Sequence, residues 1–330
     1  MTEARRATSS WNFLAGPYID RRAAAREHEQ WWEEARGDPR TRYVLARGTA
    51  QLVIGEPQPG VAFLGGEHPL VRRAARESML LLGWYRETRC VLVEVGEADA
   101  PADRNPSELT GLAGARFEEL RPLAPLLEQT EASQLAYARA LSYWRGRHRY
   151  CGVCGARNVP MRAGHAMRCA NAACGTEVFP RIDPAIIVLV TDGERALLGR
   201  QANWPAGRYS TIAGFVEPGE SLEDAVAREV HEETGVHVIE SRYHSSQPWP
   251  FPSSLMLGFM ASASPEARPH GSSELEDARW FTRDQIASGT PMLPPRTSIS
   301  FCLIEHWFDA AGSYPPLREI PAVGRWEARR

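Results

Sequence analysis

The stretch "GFVEPGESLEDAVAREVHEETGV", residues 214–236, decides how the rest of the chain is read. Ser221 followed three positions later by Asp224 is a variant capping box, and Gly235 falls where a left-handed residue commonly ends a helix. On the helix between them, Glu229, Glu232 and Glu233 take positions i, i+3 and i+4, so they share one face within about 100°. Three carboxylates this close repel one another unless something cationic sits among them. A hard divalent ion, Mg²⁺ or Mn²⁺, fits, because such ions bind through carboxylates together with substrate phosphate oxygens. Glu223 and Asp224 add negative charge one turn upstream. Charge pattern alone would still describe a solvated acidic face.

The spacing says more than the charge. Gly214, five residues, Glu220, seven residues, then Arg228-Glu229-Val230-His231-Glu232-Glu233-Thr234-Gly235-Val236 matches the Nudix box at every defined position. The chain here resembles the Nudix hydrolases, which cleave nucleoside diphosphates linked to another moiety. The resemblance implies an α/β fold, a loop–helix–loop packed in an α/β/α sandwich. It also implies that Glu229, Glu232 and Glu233 hold two or three Mg²⁺ or Mn²⁺ ions and that Arg228 orients a glutamate by salt bridge. Glu220, Arg228, Glu232 and Glu233 are the expected catalytic set, and either Glu232 or Glu233 is the expected base.

Upstream, Cys151-Gly-Val-Cys154 and Cys169-Ala-Asn-Ala-Ala-Cys174 are separated by fourteen residues. Four thiolates at this spacing suit one closed tetrahedral Zn²⁺ site, structural because no coordination position is left open. His165 reads as a surface residue beside a complete ligand set. Residues 145–181 hold seven arginines and one acid, Glu177, a local charge of +6 in a chain of net charge −3. A solvated ribbon surface is the ordinary reading; the sharper one is a strip for phosphates, such as those of an RNA chain.

Residues 246–254 read "SQPWPFPSS". Each proline fixes its own backbone angle and biases its predecessor toward extended conformations, so Gln247, Trp249 and Phe251 are expected to be extended. The segment resembles the signature that sets the NADH pyrophosphatases apart among Nudix proteins. That family also carries a four-cysteine zinc ribbon before a stretch like "FPRIDPAIIVLV", and the similarity runs from about residue 140 to 305, more faintly into the N-terminal third. It implies that Gln247, Pro248, Trp249, Pro250, Phe251, Pro252, Ser253 and Ser254 line a dinucleotide site. Phe179 and Phe215 match aromatic positions at the nicotinamide end, Glu274 matches a further metal-binding glutamate, and Ala213 offers a backbone carbonyl to a metal. Ser300 and Arg121 match substrate contacts. The four-residue gap between Cys169 and Cys174 departs from the family's usual two, which bears on the shape of the second knuckle.

Size and composition are consistent with this. The 330 residues suffice for two or three domains, and 43% apolar with 24% charged residues is ordinary for a globular chain. All 38 basic residues are arginine, a composition bias. The net charge lacks the basic balance of a general nucleic-acid binder. No apolar run approaches membrane-spanning length, and the N-terminus lacks a signal-peptide pattern, so a cytoplasmic protein is expected. The expected organisation is an N-terminal α+β domain (1–125), a connecting helix (126–146), the zinc ribbon (147–181), the Nudix domain (182–312) and a Pro-rich tail (313–330). "ESMLLLGWY" is ambiguous between helix and strand, and "AIIVLVTDGERALLGRQ" reads as a hairpin about its Asp-Gly.

The expected activity is metal-dependent hydrolysis of the pyrophosphate of NAD(H) to NMN(H) and AMP, by a homodimer. Three alternatives accompany it: removal of 5′-NAD caps from RNA, hydrolysis of ADP-ribose or diadenosine polyphosphates, and a non-catalytic nucleotide sensor. The intact set of box glutamates speaks against the last.

Overall fold

The computed structural model describes residues 12–16, 18–321 and 323. The chain divides into two compact units, one formed by residues 16–182 and 249–253, the other within residues 1–15, 183–248 and 254–330.

In the first unit, β1 (Arg42–Arg47), β2 (Ala50–Ile54), β3 (Gly60–Val61), β4 (Phe63–Leu64), β5 (Met79–Tyr85), β6 (Thr88–Glu94) and β7 (Arg116–Glu119) form one seven-stranded sheet. Its main path runs β3-β2-β1-β6-β5, with β1 and β6 parallel. The ambiguous "ESMLLLGWY" becomes strand β5. Met79 and Leu81 join the core of this unit and Leu80 lies on the other face, and all three are buried, as is Leu82 at a bulge in the pairing with β6. Burial on both faces erases the alternation that would have marked the strand in sequence. A helix at Gln129–Arg147 then leads into a small three-stranded sheet, ordered β10-β9-β8, from β8 (Asn158–Met161), β9 (Ala166–Cys169) and β10 (Glu177–Val178).

The second unit is built on β11 (Asp183–Thr191), β12 (Arg195–Arg200), β13 (Ile212–Phe215), β14 (Val238–Trp249), β15 (Ser254–Ala263) and β16 (Asp277–Thr282). The order is β14-β15-β11-β12-β16, with β13 also on β11. The expected hairpin is present: β11 and β12 are antiparallel, pairing Val190 with Leu197, and Asp192 closes the turn by accepting from the Glu194 and Arg195 amides. Alternate residues of β11 feed two cores. Ile186, Val188 and Val190 pack with Val226 and Val230 of the helix Leu222–Thr234. Ile187 and Leu189 pack with Leu303, Ile304 and Phe308 of the helix Ile299–Asp309. A sheet covered by helices on both faces is the α/β/α sandwich the box implied. Leu317 and Val323, in the Pro-rich C-terminal segment, are buried in the second of these cores. Among the described residues no helix is long and apolar enough to cross a membrane.

Candidate active site and zinc centre

The box forms the helix its caps predict. Ser221 accepts from the Asp224 amide, the Asp224 carboxylate accepts from Ser221 in return, and Gly235 ends the helix at φ 70°. β13 delivers Ala213, Gly214 and Phe215 beside it, paired with Ile187, Ile186 and Ala185 of β11. A Cβ at position 214 would lie 1.9 Å from Glu229 Cδ. Glycine there is what allows the Glu229 carboxylate to lie against the strand.

Arg228 is the hub. Its Nε donates to Glu220 Oε1 (2.5 Å) and its Nη2 to Glu220 Oε2 (3.0 Å) and to the Phe215 carbonyl (2.9 Å). Its Nη1 donates to Glu229 (2.8 Å) and Glu232 (3.1 Å). The fork of five N–H groups suits this work, which a lysine could not reproduce. The guanidinium, with the Glu217 amide, holds the Glu220 carboxyl down at about 2. Glu233 lies on the other side of the balance. It is 8% exposed, and burial, then the charges of Glu229 and Glu274, push its carboxyl up to about 8. The structure thus brings Glu274, from the loop before β16, into the electrostatic field of the box. The donor set of Glu229, Glu233 and Glu274 is all oxygen, and its mutual repulsion is what a hard divalent cation would relieve. Their oxygens do not converge as closely as the thiols described next: among the described residues, only the four cysteines place three or more metal-ligating atoms within 4.8 Å of one another. The carboxylates of Glu229 and Glu232 turn to Arg228 instead.

The thiols of Cys151, Cys154, Cys169 and Cys174 all lie within that 4.8 Å. Cys151 and Cys174 are 3.8 Å apart and Cys154 and Cys169 3.4 Å. A tetrahedron with Zn–S bonds of about 2.3 Å has edges of about 3.8 Å, so the residues fit one zinc ion. The wide Cys169–Cys174 gap is absorbed by a turn in which Asn171 accepts from the Ala173, Cys174 and Gly175 amides. The Thr176 hydroxyl at 3.1 Å helps bring Cys174 down to about 6, toward the thiolate a metal requires. His165 overturns its expectation. It is a buried residue, 8% exposed, with Nε2 2.7 Å from the Leu81 carbonyl, and it belongs to the packing of the ribbon on β5 and not to the surface.

"SQPWPFPSS" completes β14, turns at residues 250–253 and opens β15. Trp249 is extended as expected. Phe251 lies in the turn, its amide donating to the Trp249 carbonyl across Pro250 (2.7 Å). The two rings meet edge to face, centroids 5.1 Å apart. Arg139, from the long helix, donates to the Pro250 carbonyl and places its guanidinium 5.0 Å from the Phe251 ring. Nothing in "LAYARALSYW" marks that arginine, since only the folded chain brings it to the turn. Gln247 is 1% exposed, and its amide is fully engaged with backbone. Nε2 donates to the Phe13 and Thr297 carbonyls, and Oε1 accepts from the Ile299 amide. Ser300 is likewise buried, its hydroxyl bonded to Ser210 and Thr211. Pro250 is buried, whereas Pro248, Trp249, Phe251, Ser253 and Ser254 are half-buried and Pro252 is exposed. Phe179 and Phe215 are more than half exposed. Arg121 is exposed on a short helix at Leu120–Leu123.

Comparison with known proteins agrees with this anatomy. The NUDIX domain family matches residues 181–301, the NADH pyrophosphatase zinc ribbon domain residues 147–179, and the NADH pyrophosphatase-like rudimentary NUDIX domain residues 40–144. The NAD-capped RNA hydrolase NudC of Stutzerimonas stutzeri (strain A1501) is 46% identical over 63% of this chain and 71% of its own length. The NAD-capped RNA hydrolase NudC of Mycobacterium tuberculosis (strain ATCC 25618 / H37Rv) is 36% identical over 82% of this chain and 84% of its own. A third relative, NAD-capped RNA hydrolase NUDT12 of Macaca fascicularis, is 41% identical over 55% of this chain and 42% of its own.

The sandwich and its carboxylate helix are those of a Nudix hydrolase. More closely, the chain belongs to the zinc-ribbon NADH pyrophosphatase family of Nudix enzymes, and is a diphosphatase of that kind.

Proposed function

We propose that this chain hydrolyses the pyrophosphate of NAD(H), giving NMN(H) and AMP, and accepts the same dinucleotide as the 5′ cap of an RNA. The observation that carries the reading is the intact carboxylate set about Arg228, in a chain that also has the aromatic turn at 249–253 and relatives named for NAD-capped RNA hydrolysis. We assign Glu229, Glu232, Glu233, Glu274 and the Ala213 carbonyl as the groups that would hold Mg²⁺ or Mn²⁺. Such ions supply neutralisation of the pyrophosphate oxygens and a more acidic water.

The chain's own residues do the rest. Arg228, fixed by Glu220 and the Phe215 carbonyl, orients Glu229 and Glu232. Glu233 is the assigned proton acceptor, with Glu232 the alternative. Glu233 is buried on the helix face beside Glu229 and Glu274, where a proton taken from water would be held close to the ions. Trp249 and Phe251 offer flat apolar faces to the rings of the dinucleotide, with Phe179 and Phe215 at its nicotinamide end. Arg121 contributes a cation. Gln247 and Ser300 act from beneath, by tying the strand and the helix Ile299–Asp309 into place.

A cytoplasmic homodimer belongs to the same proposal. The dimer is supported by β14, an edge of the six-stranded sheet that exposes Ile239 and Tyr243; sedimentation equilibrium decides it. The function is tested by incubating the protein with Mg²⁺ or Mn²⁺ and, separately, NADH, ADP-ribose and a 5′-NAD RNA, with products identified by mass. AMP and NMNH from NADH, or AMP-ended cleavage of the capped RNA, supports the reading. Activity on ADP-ribose alone overturns it.

A further inference from the structure

The helix Gln129–Arg147 runs directly into the first zinc knuckle, and the junction is stiff. The His148 ring bonds the Trp144 carbonyl (2.7 Å), and Asn158 donates from its side chain to the His148 carbonyl (2.9 Å) and from its amide to the Arg149 carbonyl (2.9 Å). Cys151 donates its amide to the Ala156 carbonyl (2.7 Å). These bonds make Tyr150 and Arg157 a directly opposed antiparallel pair, which puts the two side chains on one face. Tyr150 is 68% exposed and Val153, at the knuckle tip, 75%. Arg147, Arg149 and Arg157 are exposed, and among the described residues none of the three is in an ion pair, although the charge of Arg149 is felt by the Glu94 carboxylate. Arg145, Arg162 and Arg168 differ, since they pair with Glu94, Glu27 and Glu177.

An exposed aromatic ring with one arginine on its own face and two more exposed arginines close by in the chain, on a backbone already ordered by hydrogen bonds and a metal knuckle, suits one class of ligand. Single-stranded nucleic acid offers phosphates to the arginines and a base face to the ring, and every base has such a face, so the site is tolerant of sequence. A free dinucleotide has no phosphates beyond its own pyrophosphate to occupy it. We propose that Tyr150, Arg147, Arg149 and Arg157 form a docking platform for the single-stranded RNA that follows a 5′-NAD cap. The inference rests on the reading of capped RNA as a substrate. The platform serves the body of that RNA and leaves the dinucleotide chemistry untouched.

The test separates the two. A triple variant, Arg147→Gln with Arg149→Gln and Arg157→Gln, and a single variant, Tyr150→Ala, are compared with the parent chain, with one zinc per chain as the folding control. Three readouts are taken: NADH hydrolysis, decapping of a 5′-NAD RNA, and binding of an uncapped single-stranded 20-nucleotide RNA by fluorescence anisotropy. The platform predicts unchanged kcat/KM on NADH in both variants. It predicts a loss of about tenfold or more in RNA binding and in kcat/KM on capped RNA, for one lost stacked base or a few lost phosphate contacts. The triple variant also loses about 2 from the slope of log affinity against log salt, at about 0.7 per phosphate contact. RNA binding and salt dependence equal to the parent's in both variants would overturn the platform. A parent chain that binds the uncapped RNA through these residues but leaves the cap intact would overturn only the capped-RNA reading, and a parent chain that cleaves NADH but binds no RNA would overturn both.

Discussion

At position 214 the difference between hydrogen and methyl decides where a carboxylate can sit. The Cβ of an alanine would overlap Glu229 Cδ at 1.9 Å, and backbone, held in β13 by its pairing with Ile186, cannot retreat. Gly214→Ala is expected to keep the fold, by circular dichroism, and to lower kcat at least tenfold by displacing Glu229; an unchanged kcat would mean that Glu229 is free to move and is no ligand. Glu233→Gln removes the ionisable group while keeping shape and burial, so turnover should fall by orders of magnitude with no loss of melting temperature. A loss below tenfold would refute its assignment as base. Trp249→Ala with Phe251→Ala tests the aromatic turn differently. Ring contacts held equally in ground and transition states act on KM, so KM for NADH should rise about tenfold or more with kcat little changed. Unchanged NADH kinetics would mean the rings serve folding alone.

At the level of elements, what was legible in the sequence was what local chemistry dictates. Ser221, Asp224 and Gly235 marked the ends of the box helix because caps are short-range, and the hairpin about Asp192-Gly193 was legible for the same reason. The box likewise announced the carboxylate face, and its resemblance implied a salt bridge from Arg228 to a glutamate, but only the folded chain shows Glu220 as the main partner. Long-range packing decided the rest. β5 carries no alternation because both its faces are covered, Phe251 falls in the turn between β14 and β15 and not in a strand, and Arg139 reaches that turn from over a hundred residues away. His165 is the clearest case, since nothing in "RAGHAM" shows that a sheet will cover it. Burial, reinforced by the nearby charges of Arg26, Arg21 and Arg145, lowers it from 6.5 to about 4 against the pull of the Leu81 carbonyl. The folded chain keeps this ring neutral where the unfolded chain protonates it, so unfolding takes up a proton between those values. Its share of stability is therefore full above pH 6.5 and is lost progressively as pH falls toward 4. His165→Gln, which keeps a donor for Leu81, should flatten that part of the profile. Parallel thermal-melt curves of parent and variant from pH 7 to pH 4 would show that the ring is solvated instead.

Across the whole molecule, three modules differ in how they are held together. The seven-stranded sheet buries a substantial core rich in Leu, Val and Ala, and the Nudix sandwich two cores rich in Leu, Ile, Val and Phe. The ribbon at 147–179 does not: it buries little beyond Ala163, Ala166 and Met167 besides Cys151, Cys169, Asn158 and His165. A segment of this size cannot supply its own apolar stabilisation, and in such segments metal-binding free energy becomes folding free energy. The six cysteines make this measurable, because they divide by environment. Burial pushes the thiols of Cys90 and Cys302 up to about 11, which makes them poor nucleophiles behind a closed core. Cys154 is exposed and Cys174 sits at about 6, so without a metal these two should be the fastest to react. A zinc-loaded chain treated with a thiol reagent is therefore expected to show almost no fast-reacting thiol. It should show four once a chelator has removed one zinc per chain, and all six only after denaturation. Rapid reaction of Cys154 and Cys174 in freshly purified, zinc-supplemented protein would sink the zinc assignment. Exposure of all six thiols on chelation alone would show instead that the ribbon's metal holds the cores on either side of it as well.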